Sequence, residues 1–187
     1  MLKTAKRVWS APFTRIFLFL FVTTSIAGFL LFFGVRFFQG TGQYDAPVFV
    51  FDGYHGGDLW TIVEHPFPFL LSLSLILSLL AALWIALIAP KVRRYQALQA
   101  LLIPWIAVIL ASPIWGVIWS IYRWPPQGFM GDADMMMLYY QHDAMFGLNL
   151  GWISALISFP INILSFAVSY GAILVSKKVF QREGKEP

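Results

Sequence analysis

The chain of 187 residues contains no cysteine and few charged residues. Without cysteine it can form no disulfide, no thiol redox centre and no cysteine metal site. Charged residues make up 12% of the chain and hydrophobic residues 59%, a balance that excludes an ordinary soluble globular domain of this size. We therefore expect an integral membrane protein whose main surroundings are the lipid bilayer.

Four stretches of the chain contain no Lys, Arg, Asp or Glu, and each has about the 20 residues that an α-helix needs to cross ~30 Å of hydrocarbon. They predict an all-α membrane protein, with a bundle of four transmembrane helices in a single domain. The stretches run from Ile16 to Val35, from His65 to Pro90, from Tyr95 to Tyr122 and from Ala144 to Ser176.

The predicted spans are joined by connections of very different length. A tight basic turn at 91–95 links the second and third spans, so these two must be antiparallel neighbours. The other two connections are much longer. The predicted spans are about 16–37, 65–90, 98–122 and 147–176, the long loops about 38–64 and 123–143, and the tail 177–187.

The positions of the basic residues predict the orientation. All but two of the 13 Lys and Arg residues lie near the N-terminus, in the 91–95 turn or in the tail. Because short basic segments stay on the cytoplasmic side, we expect both termini inside and the two long loops outside, where they form a small cap. The net charge of +4 is such a topology signal, and we expect no nucleic-acid binding. The expected location is a bacterial inner (plasma) membrane.

Small and weakly polar residues recur along the predicted fourth helix at spacings of three and four. That spacing places them on one helix face. In lipid, such a face allows close helix packing, either within the bundle or against another membrane protein, and Asn162 could instead border a polar groove. The residues are Gly147, Gly151, Ser154, Ser158, Asn162, Ser165 and Ser169.

The first and third predicted spans end in similar sequences. "RFFQG" begins at Arg36 and "RWPPQG" begins at Arg123. The two helical hairpins could be copies of each other, with the two arginines in equivalent places. Alternatively, each arginine simply suits an outer membrane interface, where its side chain can reach the headgroups.

The segment "GDADMMMLYYQHDAMFG", residues 131–147, is the best candidate for metal chemistry. If it is helical, Met135, His142 and Met145 fall near one face, and thioether and imidazole groups favour Cu(I). Asp143, together with His65 and Glu64 from the other loop, would shift the preference toward Zn(II) or another divalent ion. The alternative is an interfacial helix capped by Asp132 or Asp134, with no metal.

Catalytic signatures are missing from the sequence, and the four uncharged stretches contain no residue suited to a proton relay. We therefore expect no enzyme and no cofactor other than the copper or zinc considered above. The expected function is that of a subunit, assembly factor or regulator of a larger envelope complex, with another membrane protein or a second copy as partner. The alternatives are a stand-alone transporter of a small solute or lipid, working as a homo-oligomer, and an outward-facing metal-binding protein.

Overall fold

A computed structural model describes residues 12–38, 66–123, 132–157 and 161–183. Within these ranges the protein is all-helical and contains no strand, and four of its helices are long and apolar enough to cross a membrane. The prediction of an all-helical protein with four apolar helices of membrane-spanning length is confirmed for the described residues. The helices are α1 (Pro12–Phe38), α2 (Pro66–Leu83), α3 (Gln96–Arg123), α4 (Ala133–Ile157) and α5 (Ile161–Glu183).

The segment predicted as one fourth span, 147–176, is divided between α4 and α5. Pro160 immediately precedes α5, and a proline disfavours helical backbone in the residue before it and supplies no N–H donor. The apolar span in this part of the chain is Ile163–Phe180, on α5. Helix α4 begins at Ala133, well inside the predicted outer loop of 123–143.

Three helices begin at residues suited to a helix start. Proline is the first residue of α1 and of α2, where its missing N–H has no partner to lose. Asp132 caps α4, because its Oδ1 accepts a hydrogen bond of 2.9 Å from the N–H of Met135. The interfacial-helix interpretation predicted a cap at Asp132 or Asp134, and the structure assigns it to Asp132.

Helix α2 continues into a π-helical turn, Trp84–Ile88, before the chain reverses. The N–H of Ala89 donates to the carbonyl of Trp84 at 2.8 Å, five residues back. Tyr95, with a φ of 58°, then redirects the chain into α3. The short basic turn between these helices agrees with the prediction.

The helices are packed side by side with defined ends. The 89–95 turn and the Lys177 region of α5 meet at one end, which we call the basic end. The opposite end, where α3 finishes at Arg123 and α4 begins after Asp132, we call the acidic end. Contacts between Phe19 and Phe180 near the basic end and between Phe29 and Phe67 further away fix α1 against α5 and α2.

Helices α2 and α3 bury several alanines, and hydrogen bonds cross between the two helices. Trp115 Nε1 donates to the carbonyl of Phe69 at 3.3 Å and to Ser72 Oγ at 3.1 Å, which ties α3 to α2. In lipid, close packing and such hydrogen bonds hold helices together where the hydrophobic effect cannot. The buried alanines of these two helices are Ala81, Ala82, Ala100, Ala107 and Ala111.

Candidate functional site

Helices α3 and α4 approach each other closely enough for backbone contact. A Cβ atom added at Gly116 would overlap the carbonyl oxygen of Asp143, and one added at Gly147 would overlap the carbonyl oxygen of Ser112. On α3, Gly116 follows Ser112 by four residues, and on α4, Gly147 follows Asp143 by four residues. Because Gly116 meets Asp143 and Gly147 meets Ser112, the two helices run antiparallel. We call this contact surface, centred on Gly116 and Gly147, the α3–α4 seam.

The seam buries a carboxylate. Asp143 is only 7% exposed, and its Oδ2 atom has no hydrogen-bond partner. Ser120, one helical turn beyond Gly116 on α3, is fully buried, and its hydroxyl is also without a partner. Leaving one buried polar atom unsatisfied costs about 1–3 kcal/mol, and more when the group is charged. Among the described residues, the buried side-chain atoms without a hydrogen-bond partner include these two oxygens and, on α1, Ser25 Oγ.

The other carboxylate oxygen of Asp143 contacts its neighbour in sequence. His142 Nδ1 lies 3.1 Å from Asp143 Oδ1, so the Nδ1–H group can donate to it. The His142 side chain is 75% exposed, and its ring stacks on Phe146 with the centroids 6.3 Å apart. The buried carboxylate is therefore connected to the protein surface through an exposed imidazole.

The sequence placed Asp143 in the predicted outer loop of 123–143, as a possible contributor to a divalent metal site, and did not predict its burial between two helices. The usable signal was the spacing of Asp143 and Gly147, four residues apart and thus on one helix face. A face that brings a glycine against another helix carries its other members into the same contact.

The predicted metal ligands of α4 lie on its exposed side. Met135 is 47% exposed and Met145 58%, and both flank His142 by helical spacing. His65 lies outside the described residues. The described part of the chain contains no group of three or more His, Cys, Asp or Glu side chains that could hold a metal ion. The copper or zinc site therefore stays a prediction.

The predicted small-residue face contacts other helices of the same chain where the structure describes it. Gly147 packs on α3, whereas Ser165 and Ser169 face α1 and α2. Ser158 lies outside the described residues. Gly151, Ser154 and Asn162 belong to helices, but their surroundings are not described. Arg36 and Arg123, the predicted arginine pair, belong to the last turns of α1 and α3. Their side chains are not described, so their equivalence stays a prediction.

A second polar feature lies between α1, α2 and α5. These helices enclose a partly open cavity of about 100 Å³. Its lining is mostly aliphatic but includes hydroxyl groups, of which Thr24 donates to the carbonyl of Leu20 at 2.7 Å and meets Ser78 at 3.5 Å. The polar and small residues of the lining are Thr24, Gly28, Ser74, Ser165 and Ser169.

At the basic end, by contrast, the polar groups are paired with one another. Trp84 Nε1 donates to Gln99 Oε1 at 2.9 Å, and Gln96 Nε2 donates to the carbonyl of Ala89 at 2.7 Å. Lys177, from α5, donates to Gln96 Oε1 and lies 5.4 Å from the ring centroid of Trp84. This network joins α2, α3 and α5.

Comparison of the chain with protein-family models, with curated proteins and with solved structures gives no match.

Proposed function

We propose that this protein is a small, non-enzymatic membrane accessory: a subunit, assembly factor or regulator of a larger envelope complex that docks through α5. The observation that carries the proposal is the unequal burial of the spans. Only 11% of the residues in the α5 span are buried, compared with 22% in the α1 span and 39% in the spans of α2 and α3. A span with so few residues buried inside its own chain offers more of its surface than the others to lipid or to a partner.

The free side of α5 has the composition of a helix–helix contact. Ala167 and Val175 are exposed, and a Cβ atom added at Gly171 would meet no atom within 4 Å. The four-residue spacing puts all three on one face, and small residues on such a face let a second helix approach closely in lipid. The opposite face, with Ile173 fully buried, packs inside the bundle.

We further propose the membrane and the orientation. The described cations of the turn and of α5, such as Arg93 and Lys177, lie at the basic end, whereas Asp132 and Asp134 lie at the acidic end. With basic segments retained in the cytoplasm, the basic end is the cytoplasmic end, and both termini are inside. A bacterial inner (plasma) membrane fits this charge bias, with lipid on the uncovered faces and another membrane protein on α5.

The test compares co-purification of two variants. The chain is tagged at its C-terminus and extracted from native membranes in mild detergent, and mass spectrometry measures what accompanies it. Gly171→Leu adds bulk on the proposed docking face and should release a near-stoichiometric partner. Val22→Phe, on a half-exposed position of α1, adds bulk elsewhere and should not. An unchanged partner in Gly171→Leu would contradict the docking face, and a pure homo-oligomer in both would contradict the accessory role.

The cavity between α1, α2 and α5 favours a second candidate, a stand-alone transporter of a small solute or lipid that works as a homo-oligomer. Its hydroxyl groups offer polar contacts within an apolar lining. In this case Ser169→Leu, which fills the cavity, should abolish flux into proteoliposomes and leave self-association intact. The accessory function predicts that Ser169→Leu leaves partner binding unchanged and that the wild-type chain carries no flux.

A further inference from the structure

We propose that Asp143 and Ser120 bind a small monovalent cation within the α3–α4 seam, reached from the acidic end past His142. The site is separate from the docking face on α5, so the proposal does not depend on the proposed function. The geometry that supports it consists of one buried carboxylate oxygen and one buried hydroxyl, both without a partner.

The antiparallel register places these two residues one helical turn apart along the seam. Gly116 lies opposite Asp143, and Ser112 lies opposite Gly147, so Ser120 lies one turn closer to the acidic end than Asp143. Side chains on a helix lean toward its N-terminus. Asp143 on α4 therefore leans toward the acidic end, and Ser120 on α3 leans back toward Gly116, so both approach the same level of the seam.

The chemistry of these groups selects the ligand. A carboxylate and a hydroxyl are hard oxygen donors, which favour a proton or an alkali ion over a soft metal. A buried carboxylate that keeps its charge needs a counter-charge, since an isolated buried charge is very costly. In membrane proteins a buried acid commonly marks an ion or proton site for the same reason.

The surface connection is built from the same pair of residues. His142 Nδ1 lies 3.1 Å from Asp143 Oδ1, and the imidazole ring is exposed. When both ring nitrogens of His142 carry a proton, the Nδ1 proton can move to Asp143 Oδ1. This step breaks one N–H bond, forms one O–H bond and leaves a neutral imidazole protonated at Nε2. A sodium ion would instead pass beside the ring to reach Oδ2. Sodium at Oδ2 and a proton at Oδ1 thus compete for the charge of one carboxylate.

The experiment measures both cations on the full chain, purified in detergent. Saturable binding of radioactive Na⁺ is recorded at fixed pH and ionic strength, with choline replacing sodium. Infrared difference spectra between two pH values are recorded in parallel, to detect a protonated carboxyl group. All other titratable and charged groups of the two helices are kept, among them Tyr122 and Arg123 of α3 and Tyr139, Tyr140 and His142 of α4. The difference between the spectra of wild type and Asp143→Asn therefore isolates Asp143.

We expect Na⁺ binding to weaken at least about tenfold in Asp143→Asn and several-fold in Ser120→Ala. Asp134→Asn, which removes an exposed acid of the same helix, should bind like wild type and serves as the matched control. If sodium does not bind but the carboxyl band is present in wild type and absent from Asp143→Asn, the cation is the proton. The proposal is overturned if neither Na⁺ binding nor the carboxyl band differs between wild type and Asp143→Asn. An ion pair between Asp143 and another group of the protein would produce that result. Ser120→Ala keeps the test valid if Asp143→Asn fails to fold.

Discussion

The basic end of the bundle and the α3–α4 seam both contain polar side chains within a largely apolar protein, yet they handle them in opposite ways. At the basic end, Trp84, Gln96 and Lys177 have partners on other helices or on the turn. In the seam, Asp143 and Ser120 each keep an oxygen without a partner. A satisfied network rigidifies the fold, whereas an unsatisfied pair stores a cost that a ligand can offset. We therefore expect the first region to contribute stability, whereas the second is where we propose that a cation binds.

The largest effect should come from placing a bulky side chain between α3 and α4. In Gly116→Leu the new side chain would overlap the backbone of Asp143, which no side-chain rotation can relieve. We expect a loss of unfolding free energy of about 3 kcal/mol or more, or no folded protein at all. Unfolding in SDS, followed by circular dichroism, measures the loss. Gly171→Leu is the control, since a Cβ atom added at Gly171 meets no atom within 4 Å. Equal losses in both variants would contradict the close approach at Gly116.

Breaking the basic end should destabilise the protein less severely. Lys177→Met removes the hydrogen bond to Gln96 and the contact with the Trp84 ring but keeps the aliphatic bulk. We expect the unfolding free energy to fall by about 1–2 kcal/mol. The neighbouring Lys178 is exposed, and Lys178→Met should change little in the same SDS titration. Equal effects of the two substitutions would mean that the network adds no stability.

Removing the buried charge of the seam should raise the unfolding free energy, whereas the two preceding substitutions lower it. Asp143→Asn keeps the shape of the side chain and removes a buried charge that lacks a full set of partners. In sodium-free buffer at neutral pH we expect the unfolding free energy to rise by about 1 kcal/mol, and adding sodium should narrow the gap by stabilising wild type. A destabilised Asp143→Asn under sodium-free conditions would show that the charge is already compensated within the protein.

The smallest effect concerns the start of α4. Asp132→Ala removes the cap on the N–H of Met135 and should cost about 1 kcal/mol. Asp134→Ala removes an acid from the first turn without removing the cap and should cost less. Hydrogen exchange at the first residues of α4 measures both, and an equal response would show that only the charge of this segment matters.

The apolar helices could be predicted because charged side chains are costly in lipid, so that long stretches without them stand out in the sequence. The tight turn before α3 could also be predicted, from the short distance between two apolar stretches and from the basic residues between them. The division of 147–176 was not foreseen, since counting uncharged residues ignores what Pro160 does to the backbone before it. The burial of Asp143 was not foreseen either, because it depends on Gly116, which lies on another helix. The spacing of Asp143 and Gly147 places them on one helix face, but it does not show what that face contacts.

The central claim, that the uncovered face of α5 binds a partner, can be tested most directly by photocrosslinking in native membranes. A photoreactive amino acid replaces Gly171 in one variant and Val22 in a second, and both are half-exposed or open positions in apolar spans. We predict one discrete protein adduct from position 171 and none from position 22. No protein adduct at 171, or the same adducts from both positions, would contradict the claim.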